Sequence, residues 1–516
     1  MLLQKHWLFV CLIIIVTLVV YRYAPQAGFI PIDDRLLSYE NPLVTEMTPE
    51  SIHGIFSSYD PELYIPITLL SYKLDYFIGK ENPAIYHIRN LLLHIFNAIL
   101  VFLLLKRLTS RDMLAMLTAL LFAIHPLNTE TVMWVAARKD VLSAFFFLST
   151  LLLYCRSREH ESRALYYGSI LCFALALMSK VVTATLPLVL MIIDDLQGYP
   201  NDRSATMQKI PYGVLSFVFL GIGLFKKSLA VYSISYGETF LLAGKSTAFY
   251  VQKLLIPTEF MPLYQQHLPI EPLSMEFIAP FAVIALLGVI AIAARSIEKA
   301  VSFGILWYGI TLLPNLANFT HGAGWKVVYA SDRYAYLPSI GLMLMFCVGL
   351  LSLPKKRVIL PLGTVIIAIL SVLSMQQSLR WQSTETLFIY VVERAPQTHI
   401  AHALLGIYDM ENDHFEAALP HLEKSVEIAP DFPFGRANYG LALIETGKVE
   451  AGIAELKETL RRAPDYVQAY LYLAYAYDTQ DKLQESVYAL QSVLSLEPDN
   501  AEASRLLESI GGSGGI

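Results

Sequence analysis

Charge is scarce in this chain. Of its 516 residues only 16% are Asp, Glu, Lys or Arg, against 55% hydrophobic, and the mean hydropathy is +0.49. So little charge excludes an ordinary soluble protein and points to an integral membrane protein. Cysteine is rare as well. The four present, Cys11, Cys155, Cys172 and Cys347, all fall in apolar runs. That leaves no disulfide framework and no cysteine metal site, and they read as small core residues. The shortage of charge is uneven. Residues 398–516 hold 19 acidic and 8 basic residues, a net of −11, which leaves +5 for residues 1–397 within the whole-chain charge of −6. Nearly all the long apolar runs lie in 1–397. A slightly basic membrane body joined to an acidic soluble tail is therefore expected, with no nucleic-acid partner.

A helix needs about 20 mostly apolar residues to cross a bilayer. Spans are predicted near 7–22, 84–105, 113–128, 132–154, 163–179, 181–195, 211–226, 275–294, 300–318, 334–353 and 357–377, about 11 in all. The first is read as a retained span. Lys5 precedes it as in a signal peptide, but no small-x-small cleavage site follows. Basic residues mark alternate connections: Lys106, Arg107 and Arg111; Arg156, Arg158 and Arg163; Arg203 and Lys209; Arg295 and Lys299; Lys355, Lys356 and Arg357. The positive-inside rule assigns these to the cytoplasm. The N-terminus is then inside and, with an odd number of spans, the tail is outside: in the periplasm or extracellular space, or the lumen of the endoplasmic reticulum. Lys226 and Lys227 stand against the pattern; either that span is misassigned or the two lysines meet an anion. Two outer segments are long. Residues 23–83 carry a candidate surface helix near 47–60. In residues 228–274 the apolar run 254–257 is too short to cross, and the segment reads as helices lying on the membrane surface.

The tail is periodic. Pro430, Pro464 and Pro498 are 34 residues apart, as are Leu422, Leu456 and Leu490, and Gly406, Gly440 and Ala474. A 34-residue period with Pro near the end of each unit is the tetratricopeptide signature. Repeats are expected at about 399–432, 433–466 and 467–500, with a capping helix at 501–510. They form a domain, 398–510, joined to a membrane domain, 1–380, by a linker, 381–397; residues 511–516 read as a flexible tail. Stacked helical hairpins of this kind bind peptides or proteins on a concave face; a plain scaffold or cap is the alternative. Five tyrosines, Tyr466, Tyr470, Tyr472, Tyr475 and Tyr477, crowd the third unit. Some pack helices and others are available to line a groove.

Chemistry-bearing residues cluster at expected outer ends. Asp33-Asp34 stands just beyond the first span. Adjacent carboxylates raise each other's pKa, so a pair held at a membrane face points to chemistry there. Glu130, after His125-Pro126, is either a first-turn carboxylate favoured by the helix dipole or faces a reaction centre. Arg138, Lys139 and Asp140 fall within a span, where charge is expensive; an Arg138–Asp140 or Lys139–Asp140 pair satisfies them, or they line a polar cavity. Lys180, Lys326 and Arg333 are all expected at the outer face, and together they can hold a phosphate, Arg in bidentate fashion. Asp332 with Arg333 is equally a local ion pair. His87, Asn90, His94 and Asn97 share one helical face. Interhelical hydrogen bonding accounts for His94 and Asn97; His87, nearer the outer end, approaches the site.

In this order, Asp33-Asp34-Arg35 with Asn41-Pro42, Tyr86-His87-x-x-Asn90 with His94, His125-Pro126-x-x-Thr129-Glu130, Arg138-Lys139-Asp140, Ser179-Lys180, and Ser331-Asp332-Arg333-Tyr334 with Tyr336-Leu337-Pro338 carry a family likeness. Together with the repeats they resemble the TMTC family of transmembrane, tetratricopeptide-containing O-mannosyltransferases, within the multispanning GT-C glycosyltransferases. The resemblance covers nearly the whole chain. It implies an all-α fold, with a polytopic GT-C-type domain of about 11 helices and a repeat solenoid. It also implies transfer of mannose or another hexose from a polyprenyl-phosphate carrier to a protein Ser or Thr on the non-cytoplasmic face. The short array suggests a bacterial relative. One departure is Val181, where the family carries an acidic residue after Ser-Lys.

On that basis Asp33 or Asp34 is the general base and the displacement is inverting. Arg333, Lys180 and Lys326 take the donor phosphate, while Glu130, His87, Arg138, Asp332 and Tyr334 face substrate. Partners are the lipid-linked donor, membrane lipid and an acceptor protein held by the repeats. No cofactor is required, although the acidic pair with Glu130 leaves a divalent ion open. The alternatives are a ligase or polymerase of surface glycans using polyprenyl-linked sugar, and a non-enzymatic membrane-anchored scaffold. A transporter is disfavoured by the lack of paired, interrupted spans in matching halves.

Overall fold

A computed structural model of the chain describes residues 2–59, 63–200, 202–227, 235–266, 269–317 and 327–513. The chain divides into two compact units that part between Ser383 and Thr384.

The first unit is helical, as expected. Each of the eleven apolar stretches coincides with a helix, but not all are long enough to cross. Among the described residues seven helices are long and apolar enough, or eight if Asp112–Ile124 and Pro126–Met133, bent by 54°, count as one broken span. Arg163–Ser179, Leu186–Gln197 and Lys299–Leu312 have 17, 12 and 14 residues, short of the roughly 20 a crossing takes. By length and composition alone, seven or eight of the roughly 11 expected qualify. The shortening has local causes. Pro126 ends the hydrogen-bonding run of Asp112–Ile124. Lys180, extended at φ −163°, ends Arg163–Ser179, and Gly198, at φ +71°, ends Leu186–Gln197 with the left-handed turn that glycine favours.

Small residues set the closest approach in this unit. A Cβ on Gly304 would stand 2.5 Å from the Gly341 carbonyl oxygen. Only glycine lets the helices Lys299–Leu312 and Tyr336–Leu351 cross with their backbones touching.

The two long segments expected outside, 23–83 and 228–274, are mostly helical among the described residues. The candidate near 47–60 is the helix Pro49–Ser57, started by a Thr48/Ser51 capping box. Segment 228–274 contains the helix Tyr236–Leu255, which packs through Leu242 on Phe277 and Val327. Its neighbours include a two-stranded antiparallel sheet, β1 (Tyr264–Gln266) with β2 (Val327–Ala330), shifted in register between Tyr264 and Gln265. The helix Pro66–Gly79 has no counterpart in the sequence reading. Its inward face mixes Leu69 and Tyr72 with Lys73 and Asp75, so no apolar stripe marks it.

In the second unit the helices pair as hairpins: His399–Glu411 with Phe415–Ile428, Pro433–Glu445 with Val449–Arg462, and Val467–Asp478 with Leu483–Leu496, followed by Ala501–Ser513. Residues 381–397, read as a linker, contain the helix Thr384–Arg394. The repeated glycine has a packing cause. A Cβ at Gly406 would meet Leu422 at 2.5 Å, and one at Gly440 would meet Leu456 at 2.9 Å. Leu422 and Leu456 are fully buried.

Candidate active site

The site forms where helices break at the same end. The turn Pro126–Asn128, helix Thr129–Met133 and turn Val135–Ala137 join the broken helix to Arg138–His160. Lys180 follows Arg163–Ser179, and the turn Asp332–Ala335 leads into Tyr336–Leu351. In a membrane protein, irregular backbone is tolerated where it lines a protein cavity.

Asp33 and Asp34 lie over these breaks in different surroundings. Asp34 is fully buried. Its Oδ2 accepts from the Ile30 amide and its Oδ1 from the Ala136 amide, both at 2.8 Å. Burial pushes its carboxyl up to about 8, against the pull of those two donors. Asp33 is 39% exposed, and its Oδ2 is 3.7 Å from Lys139 Nζ.

Two more carboxylate–cation pairs complete the cluster. Lys180 Nζ is 2.6 Å from Asp140 Oδ1, and Arg333 Nη1 is 2.6 Å from Glu130 Oε1. The Arg333 guanidinium lies 4.8 Å from the Trp134 ring centre and 5.0 Å from that of Tyr334; Lys180 Nζ is 5.6 Å from the Tyr334 ring. Ser331 Oγ is 3.0 Å from Glu130 Oε1. Lys139 and Asp140 are adjacent in the chain, so the Asp33–Lys139 and Lys180–Asp140 pairs adjoin. Glu130 Oε2 and Asp140 Oδ2 are buried without a hydrogen-bond partner among the described residues. Asp140, Arg333 and Tyr334 line a cavity of about 20 Å³, room for one water.

No protein-family model matches the chain. Among known proteins, human protein O-mannosyl-transferase TMTC1 is 25% identical over 440 residues, 73% of this chain and 49% of its own. Human protein O-mannosyl-transferase TMTC4 is 26% identical over 412 residues, 66% of this chain and 55% of its own. Xenopus laevis protein O-mannosyl-transferase tmtc2 is 39% identical over 101 residues, 19% of this chain and 12% of its own. The chain is TMTC-like. It spans about half the length of the longest-matching of these relatives. A solved oligosaccharyltransferase from Archaeoglobus fulgidus overlays 80% of this chain and 58% of its own at 12% identity, with a TM-score of 0.42, too loose to build on.

The TMTC-like motif residues do not all reach the cluster. Glu130, Lys180, Arg333 and Tyr334 are in it with Asp33. Lys326 lies outside the described residues. His87 is fully buried, its Nε2 3.2 Å from the Gly28 carbonyl oxygen. Arg138 is fully buried and donates to Asp75, to the Asn90 side chain and, at 2.9 Å, to the Tyr86 carbonyl. Asp332 turns away from Arg333 and accepts from the Tyr264 hydroxyl at 3.0 Å. Neither the Arg138–Asp140 and Lys139–Asp140 pairs nor the Asp332–Arg333 pair weighed from sequence is formed; partners come from other segments. His94 and Asn97 do bond between helices, to Tyr336 and to the carbonyls of Ala123 and Val141. Val181 is half-buried and adds no carboxylate beside Lys180.

Sequence reasoning passed over Lys139 as the partner of Asp33, Trp134 as a platform for Arg333, and Asp75. Asp75 is fully buried between Arg138, at 2.8 Å, and Arg89. Charge inside a weakly apolar stretch was the available signal for it. Among the described residues no group of three or more His, Cys, Asp or Glu side chains gathers as a metal site.

Proposed function

We propose that the protein is a membrane glycosyltransferase that moves a hexose from a polyprenyl-phosphate carrier to a Ser or Thr hydroxyl of a protein, at the non-cytoplasmic face. The observation that carries this reading is one accessible carboxylate, Asp33, 3.7 Å from Lys139, next to the carboxylate–cation pairs Lys180–Asp140 and Arg333–Glu130. A hydroxyl acceptor needs a general base, and a phosphate leaving group needs fixed positive charge. The likeness to protein O-mannosyl-transferases supports the same chemistry.

Asp33 is the base, because Asp34 has both oxygens committed to backbone amides. The acceptor oxygen attacks the anomeric carbon as its proton passes to Asp33. The bond to the lipid phosphate breaks and the anomeric configuration inverts. Arg333 and Lys180 hold the leaving phosphate. The free oxygens Glu130 Oε2 and Asp140 Oδ2 accept from sugar hydroxyls. A cavity that holds one water must widen for a sugar, so donor binding parts Tyr334 from its neighbours. The repeats capture the acceptor chain.

Intact masses of outer-face proteins from cells carrying the wild type or Asp33→Asn test this. Particular proteins lose one hexose mass in the variant. Unchanged masses across all proteins overturn protein transfer.

A further inference from the structure

A second concavity lies at the other end of the helix Arg138–His160, remote from Asp140. It has a volume of about 920 Å³ and opens beside the first turns of Arg163–Ser179 and Arg203–Lys227. Arg158, Arg163 and Arg203 line it against one carboxylate, Glu161. Three other cations are neutralised: Arg107 by Glu159, Lys209 by Asp194 and Arg295 by Asp195. Among the described residues the three lining arginines have no such ion pair.

Neutral groups hold Arg158 in place. Its Nη1 donates to Gln208 Oε1 at 2.8 Å, and its guanidinium lies 4.8 Å from the Tyr199 ring centre. The Tyr166 hydroxyl donates to the Gln208 carbonyl at 2.9 Å and braces the same wall. A guanidinium fixed this way, without a carboxylate, has donors free for a phosphate.

Apolar side chains continue from the cavity along both helices. Tyr167 and Leu171 are exposed four residues apart on one; Met207, Ile210, Val214 and Phe217 are exposed at steps of three and four on the other. The two helices are joined by Tyr166 to Gln208 and by Ser169 to Tyr212. Cationic cleft and apolar stripes are adjacent, as the headgroup and chains of a lipid are.

We infer that this cleft binds one anionic phospholipid, its phosphate on Arg158, Arg163 and Arg203 and its acyl chains along the Tyr167/Leu171 and Met207–Phe217 stripes. The leaflet is the one on the basic side of the membrane, which rests on the orientation read from the connections. Binding itself rests neither on that orientation nor on sugar transfer.

Native mass spectrometry of the full chain in detergent tests it, with phosphatidylglycerol, phosphatidylcholine or inorganic phosphate as probe. The wild type keeps one phosphatidylglycerol at least about tenfold better than phosphatidylcholine. Arg158→Gln/Arg163→Gln/Arg203→Gln loses that preference, while the triple Arg→Lys variant keeps most of it. Should the Gln triple fail to fold, the single exposed change Arg203→Gln decides, with a several-fold loss expected. Equal phosphatidylglycerol retention by wild type and Gln variants overturns the site. Inorganic phosphate bound with no preference between the two lipids overturns the lipid and leaves a free-phosphate site.

Discussion

Asp33 and Asp34 are adjacent in sequence and opposite in circumstance: Asp33 faces Lys139 across 3.7 Å, and Asp34 caps the amides of Ile30 and Ala136 from within the protein. In the proposed function the first takes a proton and the second holds the first in position. Asp33→Asn is expected to lower transfer by about 10²–10⁴-fold with an unchanged melting temperature. Asp34→Ala leaves two buried amides without acceptors, at about 1–3 kcal/mol each, and lowers the melting temperature itself. Thermal unfolding alongside a transfer assay separates the two; equal melting losses sink the division of roles.

Asp34 also gives a pH dependence with a definite sign. Its folded-state carboxyl is raised to about 8, above its ordinary value of 3.8. Between those limits the folded state holds a proton that the unfolded state has released, so stability falls as pH rises from about 4 to about 8 and is level above. Melting temperatures across that range should show this slope in the wild type and lose it in Asp34→Asn. A slope retained in full by the variant assigns it elsewhere.

How much of this was legible beforehand differs by residue. The repeats were, because Gly406 and Gly440 recur wherever a helix pair must touch, and close contact leaves a mark at a fixed spacing. The apolar helices were, because a bilayer demands long apolar runs; the lengths of the short ones were not, because hydropathy is blind to where Lys180 or Pro126 breaks a helix. The acidic pair drew notice by its position. Its division of labour did not, since it depends on Ala136 and Lys139, over 100 residues away. Asp75 stayed hidden for a related reason: it is satisfied by Arg89 and Arg138, and sequence distance carries no sign of such pairing.

Asp75 and Arg138 are both fully buried, 2.8 Å apart. Asp75→Asn leaves the buried Arg138 guanidinium uncompensated and is expected to cost roughly 3–5 kcal/mol. The readout is the yield of monodisperse protein after detergent extraction. A yield equal to wild type shows that water reaches the pair.

Arg333 combines an ion pair to Glu130 with contacts to two aromatic rings. Lysine keeps the charge and loses the planar fork. Arg333→Lys should reduce kcat about 10²–10³-fold, as removal of one preorganised donor does, while the melting temperature changes little. A loss seen only as higher KM would place Arg333 in donor binding and not in leaving-group stabilisation.

In the tail, Gly440→Val forces a side chain onto Leu456. Overpacking of this kind costs about 1–3 kcal/mol. Limited proteolysis should cut the repeats first and spare the membrane unit; cleavage like that of the wild type shows that the hairpin opens to accept the new side chain.

The segment bearing Asp33 is tied down by very distant chain. Gly28 donates its amide to the Gln382 carbonyl at 2.9 Å, and the Gln382 side chain returns a bond to the Tyr23 carbonyl, 359 residues away. During synthesis the acidic pair leaves the ribosome among the earliest residues, while its final anchor emerges only when the last membrane helix has been made. Asp33 therefore settles as a late event in biogenesis, and a nascent chain halted before residue 382 carries every charged side chain of the described cluster without the staple that fixes them.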